Sequence, residues 1–134
     1  MISSNPYQVY RQTQIKTVSQ GKLILMLYEG ALGFLNQALK AISEKNFEQI
    51  NYYLIRTQNI IDELANTLNM AVGGETARHL YTFYQSINKL LIEANMQSDC
   101  RPVEEAIKML KEMHQAWQII ICGSSPTVEE ETSA

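Results

Sequence analysis

LILMLYEGALGFLNQAL, residues 23–39, is the stretch on which the reading of the fold turns. At roughly 100° per residue, Leu23, Phe34, Leu27, Ala38, Ala31, Ile24, Leu35, Tyr28, Leu39 and Leu32 follow one another around an arc of about 180°. A helix on the surface of a globular domain usually carries an apolar stripe only a little wider than about 100°. Glu29, Gly33, Asn36, Gln37 and Lys40 fill the opposite side, so the helix is amphipathic and not membrane-spanning. Part of the arc is expected to pack inside the domain. The remainder, drawn from Leu23, Ile24, Leu27, Tyr28, Ala31 and Leu35, is expected to meet another chain.

Three further stripes follow. The first helix should open at Ser19 as N-cap with Lys22 inside it, and run to about Ile42. Asn46 and Gln49 then have the spacing of a capping box. Phe47, Ile50, Leu54, Thr57, Ile61, Leu64 and Leu68 recur in steps of three and four, and Gly73-Gly74 offers a left-handed stop. Ala77, Leu80, Tyr84, Ile87, Leu91 and Ala94 form the third stripe. After a restart at Pro102, Val103, Ala106, Leu110, Met113, Trp117 and Ile120 form the fourth. No segment alternates with period two over a strand's length. Four helices of about 20 residues joined by short connections predict an all-α, antiparallel up-down four-helix bundle over residues 19–122. Ahead of it, Asn5-Pro6 signals a short helix in residues 1–18 that exposes Tyr7 and Tyr10. Behind it, residues 123–134 are polar and acidic and are expected to stay disordered.

Composition narrows the function. With 134 residues the chain is one domain, long enough for a core without metals or disulfides. Charged residues make up 19%, below the usual share of about 25%, which favours a protein that meets other proteins. Three of its 14 acids, Glu129, Glu130 and Glu131, sit in the tail, leaving the body with 11 acids against 11 bases. That balance argues against a nucleic-acid surface, which needs a basic footprint. Cys100 and Cys122 lack the spacing of a metal or redox pair and read as idle thiols in a reducing compartment. No signal segment or membrane-length apolar run is present, so a cytoplasmic protein without membrane insertion is expected.

Catalytic chemistry finds no constellation. A di-iron bundle would need Glu-x-x-His pairs, whereas Glu75 precedes His79 by four positions and Glu112 precedes His114 by two. Both histidines read as solvated or rim residues. No phosphate-cradling glycine loop is present beyond Gly73-Gly74, which is explained as a helix stop. No cofactor, no metal and no enzymatic activity are expected.

What remains is surplus apolar surface. Tyr52 and Ile55 of the second helix, and Tyr81 and Ile92 of the third, point roughly 100° or more away from their core stripes. Together with the wide arc they suggest grooves that take an amphipathic partner helix by its i, i+3, i+4 anchors. A self-associating helical adaptor would use the same surface. The free chain is expected to be a monomer or a weak homodimer.

The order and spacing of Asn5-Pro6-Tyr7 with Tyr10, Thr17 with Ser19, and Lys22-Leu23 leading into Met26-Leu27-Tyr28-Glu29-Gly30-Ala31 carry a resemblance. Leu68-Asn69 with Gly73-Gly74-Glu75, Leu80 with Tyr84, Glu93-Ala94-Asn95, and Trp117 extend it. The chain resembles the FliS family of flagellar export chaperones from Asn5 to about Ile120. It departs from the family at Gln20, where Pro is common, and at Ser86, where an aromatic is common. The resemblance implies an antiparallel helical bundle that binds the C-terminal segment of newly made flagellin and blocks its premature polymerisation. It implies delivery to the cytoplasmic domain of the export gate protein FlhA. It also implies that Pro6, Tyr7 and Tyr10 belong to a movable lid with a possible export-gate contact. The residues expected to meet flagellin are Leu23, Ile24, Leu27, Tyr28, Ala31, Leu35, Tyr52, Ile55 and Tyr81.

Overall fold

The computed structural model describes residues 18–71 and 73–123. The expected lid, with Pro6, Tyr7 and Tyr10, and the tail beyond Gly123 lie outside these residues. Four helices follow one another: α1 Val18–Ser43, α2 Phe47–Ala71, α3 Gly74–Gln97 and α4 Cys100–Ile121. Each packs on two others in a ring, α1 on α2, α2 on α3, α3 on α4 and α4 on α1. The fold is the expected antiparallel four-helix bundle.

The connections are short because local polar groups close each helix. Asn46 N–H donates to Ala41 O at 3.0 Å and Lys45 N–H to Ile42 O at 3.1 Å, with Lys45 in the left-handed region at φ 56°. Asn46 then caps α2, its Oδ1 accepting from Gln49 N–H at 3.1 Å, which is one half of the expected box. Of the two glycines at the turn from α2 to α3, Gly74 takes the left-handed conformation, at φ 67°, while Gly73 is extended. Ser98 is left-handed at φ 50°, and Asp99 Oδ1 accepts from Arg101 N–H at 3.0 Å. This cap starts α4 at Cys100, two residues before Pro102, which is tolerated in a first turn where the N–H has no helical partner. Hydrogen bonds from the Arg101 guanidinium and amide hold the Asp99 carboxyl below its ordinary pKa.

The core follows the stripes with exceptions at the helix ends. Ile50, Leu54, Thr57, Ile61, Leu64 and Leu68 of α2 are buried, as are Leu80, Tyr84, Ile87, Leu91 and Ala94 of α3 and Val103, Ala106 and Leu110 of α4. Thr57 fits because its Oγ1 donates to Tyr53 O at 2.8 Å, within its own helix. Phe47, expected in the core, is 64% exposed. It is the first residue of α2, and side chains tilt toward the helix N-terminus, so its ring leaves the end of the bundle. Ile120, also expected inside, is 68% exposed on the last turn of α4. Ser19 is not an N-cap but lies within α1, and Gln20 does not break the helix. This first turn is held by packing: a Cβ on Gly21 would run into Cγ2 of Ile121 in α4.

Most of the wide arc of α1 lies inside the bundle. Leu23, Ile24, Tyr28, Ala31, Leu35 and Ala38 are all buried by the chain itself. α1 stands at a corner of the ring and meets α2 on one side and α4 on the other, so both flanks of its arc are covered. Leu27, Leu32, Phe34 and Leu39 are half-buried at the margins. Among the described side chains of α1, Met26 is the large apolar one that stands clear, at 60% exposure. Leu35→Ala should therefore destabilise the bundle by about 2–5 kcal/mol in urea unfolding. Met26→Ala should stay within about 0.5 kcal/mol of the parent.

Candidate partner-binding surface

The interior polar groups set the geometry of the surface. Tyr28 on α1 and Tyr84 on α3 are buried, and their hydroxyls share a hydrogen bond of 2.8 Å. Trp117 on α4 donates its indole N–H to the Tyr28 hydroxyl at 3.1 Å. Burial, and secondarily the proximity of Tyr84, push the Tyr28 phenol far above its ordinary pKa, and burial raises Tyr84 as well. Both are neutral near pH 7 and serve as hydrogen-bonding groups. The Tyr28 ring stacks on His114 with centroids 6.0 Å apart and planes 21° from parallel. His114, expected as a solvated or rim residue, thus has a largely buried side chain because α4 packs this part of its surface on α1. Its Nε2 lies 3.6 Å from Glu29 Oε2, just too far for a hydrogen bond. His79 is exposed.

Beyond Trp117 the bundle opens. Leu80 and His79 of α3 face Met113, Ala116, Trp117 and Ile120 of α4 across a cleft of ≈ 470 Å³. The lining is almost wholly apolar, and Ile119, the residue before Ile120 in sequence, is also exposed. The cleft lies at the end where α4 finishes and α1 begins, since Gly21 meets Ile121 there. Met113, Trp117 and Ile120 belong to the fourth stripe and read in sequence as core. The overlooked signal is Ile119-Ile120-Ile121, because three consecutive large apolar residues on a helix spread over about 200° and cannot all face one interior.

The sequence-selected residues do not form one site. Leu23, Ile24, Tyr28, Ala31 and Leu35 are core residues in this state and offer no side-chain surface to a partner. Leu27 is half-buried. Tyr52, Ile55 and Tyr81 are exposed as expected from their angles. Tyr52 belongs to an aromatic group with Tyr53 at 5.0 Å and Phe34 beyond it, and Arg56 sits 4.8 Å over the Tyr52 ring. Tyr81 instead lines a groove between α2 and α3, together with Ile92. Ser86 is exposed, with its hydroxyl donating to Thr82 O at 3.0 Å, so this position lies on the surface and not in the core.

Among the described residues no three His, Cys, Asp or Glu side chains stand close enough to hold a metal ion, and no helix is long and apolar enough to cross a membrane. A helical bundle with an open apolar cleft and exposed apolar grooves is built to meet other polypeptides. Comparison with known proteins makes that class specific. The sequence profile of the family described as "Flagellar protein FliS" matches residues 3–124. The flagellar secretion chaperone FliS of Campylobacter jejuni is 39% identical over 112 residues, covering 84% of this chain and 88% of the relative. That of Bacillus subtilis is 35% identical over 118 residues, covering 88% and 87%. That of Salmonella typhimurium is 30% identical over 114 residues, covering 84% of each. The chain belongs to the FliS family of flagellar secretion chaperones.

The buried hydroxyl group predicts unequal costs. Tyr28→Phe removes the acceptor of Trp117 and the partner of Tyr84 together, and should cost about 1–3 kcal/mol in denaturant unfolding. Tyr84→Phe leaves the Trp117 bond to Tyr28 in place and should cost less, and the double variant should cost less than the sum of the two.

Proposed function

We propose that this chain binds the C-terminal segment of flagellin, keeps it from polymerising, and delivers it to the cytoplasmic domain of FlhA. The observation that carries this reading is the apolar cleft between α3 and α4, in a member of a family of secretion chaperones. Leu80, Met113, Trp117 and Ile120 offer seats for the apolar face of a helix formed by the cargo as it binds. Ordering the cargo costs conformational entropy, which burial of its apolar face offsets. The difference leaves a complex that can be released, as export requires. The site works in the cytoplasm, needs no nucleotide and performs no covalent chemistry.

The expected contact surface shifts accordingly. Tyr52, Ile55 and Tyr81 stay as candidate contacts because they are exposed, and Leu27 contributes its half-buried edge. Leu80, Met113, Ala116, Trp117 and Ile120 join them in place of the buried α1 residues. On the same reading Pro6, Tyr7 and Tyr10 form a lid that competes with cargo and meets the export gate. The chain leads from them into α1 at the end where the cleft opens.

Trp117 is the one tryptophan of the chain and lines the cleft, so its fluorescence reports occupancy directly. A tryptophan-free flagellin C-terminal segment should shift its emission to shorter wavelength, with one-to-one stoichiometry. Ile120→Asp should keep the helical circular dichroism of the parent and weaken binding by roughly tenfold or more, which corresponds to about 1.4 kcal/mol. Wild-type affinity in a folded Ile120→Asp chain would contradict this placement.

A further inference from the structure

Gly21 is a glycine where the backbone of α1 does not call for one. It lies inside Val18–Ser43, and among the described residues the glycines in the left-handed region are Gly74 and Gly123. An alanine would suit this helical position better, because glycine gives up more chain freedom on folding. What the glycine provides is room. A Cβ here would stand 3.1 Å from Cγ1 and 3.3 Å from Cβ of Ile121, and would run into Cγ2 of the same side chain. Ile121 is the half-buried last residue of α4, and its branched Cβ leaves it few other rotamers in a helix. The end of α4 therefore rests on bare α1 backbone.

A second contact shows the line along which the two helices meet. Tyr28 follows Gly21 by seven residues, and His114, which stacks on Tyr28, precedes Ile121 by seven. Seven residues make about two helical turns, so both pairs lie on one antiparallel seam. At the first pair two rings fill the space between the helices, with centroids 6.0 Å apart. At the second, α1 contributes no side chain, so α4 leans onto α1 as it ends. The other flank of this stretch carries Met113, Trp117 and Ile120, which face Leu80 and His79 of α3 across the cleft. Ile120 and Ile121 are about 100° apart on the helix, one on the cleft and the other on Gly21. Whatever draws the end of α4 toward α1 also draws it away from α3.

We propose that Gly21 is a positioning residue for the cleft: by letting Ile121 lie against the α1 backbone, it holds the end of α4 off α3 and keeps open the space that receives a partner helix. This rests on the placement of cargo in the cleft. The test measures two probes on the full chain. One is a flagellin C-terminal segment, followed by calorimetry. The other is the apolar dye anilinonaphthalene sulfonate, followed by the part of its fluorescence that Ile120→Asp removes. Gly21→Ala should keep the helical circular dichroism of the parent and weaken both probes by roughly fivefold to tenfold. Trp117 emission in the free variant should move to shorter wavelength as α3 closes over it. Adding Ile121→Ala to Gly21→Ala removes the collision and should restore both affinities to within about twofold of the parent. An effect confined to the helicity of α1 would persist in the double variant. If Gly21→Ala alone loses helicity, the double variant decides, and the proposal requires it to fold and bind like the parent. Parent-like binding of both probes by folded Gly21→Ala would overturn the role of Gly21, as would a double variant that stays weak or unfolded. A wild-type chain that takes the dye but not the segment would overturn the flagellin reading and leave Gly21 to be judged from the dye. Failure of both probes to bind the wild-type cleft would overturn both.

Discussion

Two phenol hydroxyls meeting inside an apolar bundle impose the constraint on which the rest of this structure depends. Tyr28 and Tyr84 come from helices that stand diagonally in the ring, and their hydrogen bond links α1 to α3 where direct helix packing does not. A buried hydroxyl without a partner is costly, so each holds the other in place. Trp117 adds a third helix by donating to Tyr28, and His114 covers the Tyr28 ring from the same helix. The register of α4 against α1 is thereby fixed at one end of the bundle, where Gly21 lets Ile121 approach closely. With α4 held there by α1, its opposite flank is left facing α3 across an open apolar cleft.

That arrangement divides buried from exposed apolar residues within single helices. On α3, Tyr84, Ile87, Leu91 and Ala94 are committed to the interior, Leu80 stands where the core borders the cleft, and Tyr81 and Ile92 remain at the surface. On α4, Val103, Ala106 and Leu110 are buried, and apolar exposure increases toward Ile119 and Ile120. The exposed apolar surface is thus an extension of the core stripes past the point where neighbouring helices cover them. On the proposed reading, binding there continues the packing that folds the bundle, with cargo supplying the missing apolar face.

The middle of each stripe was legible because a 3.6-residue period and a buried interior agree there: Ile50 to Leu68, Leu80 to Ala94 and Val103 to Leu110 are all core. Caps at Asn46 were legible for the same local reason. Periodicity fixes the angle of a side chain but not how many helices stand around it. Hence the arc of α1 read as surplus, although two neighbours cover it. Nor does periodicity show where neighbours end, which is why Phe47 and Ile120 read as core and are exposed. The outward angles of Tyr52, Ile55 and Tyr81 were right, yet Tyr52 and Tyr81 lie in different surroundings because separation around a bundle is a tertiary property. The stacking of His114 on Tyr28 joins residues 86 positions apart and has no local signature.

The central claim, that the apolar cleft beside Trp117 receives the cargo while the α1 arc remains core, is tested most directly by hydrogen exchange of the whole chain with and without a flagellin C-terminal segment. Added protection should concentrate on the start of α3 around Leu80 and the last turns of α4 from Met113 to Ile120, with the interior of α1 around Leu35 unchanged. Protection gained on the outer face of α1 around Met26, with the end of α4 unaffected, would contradict it.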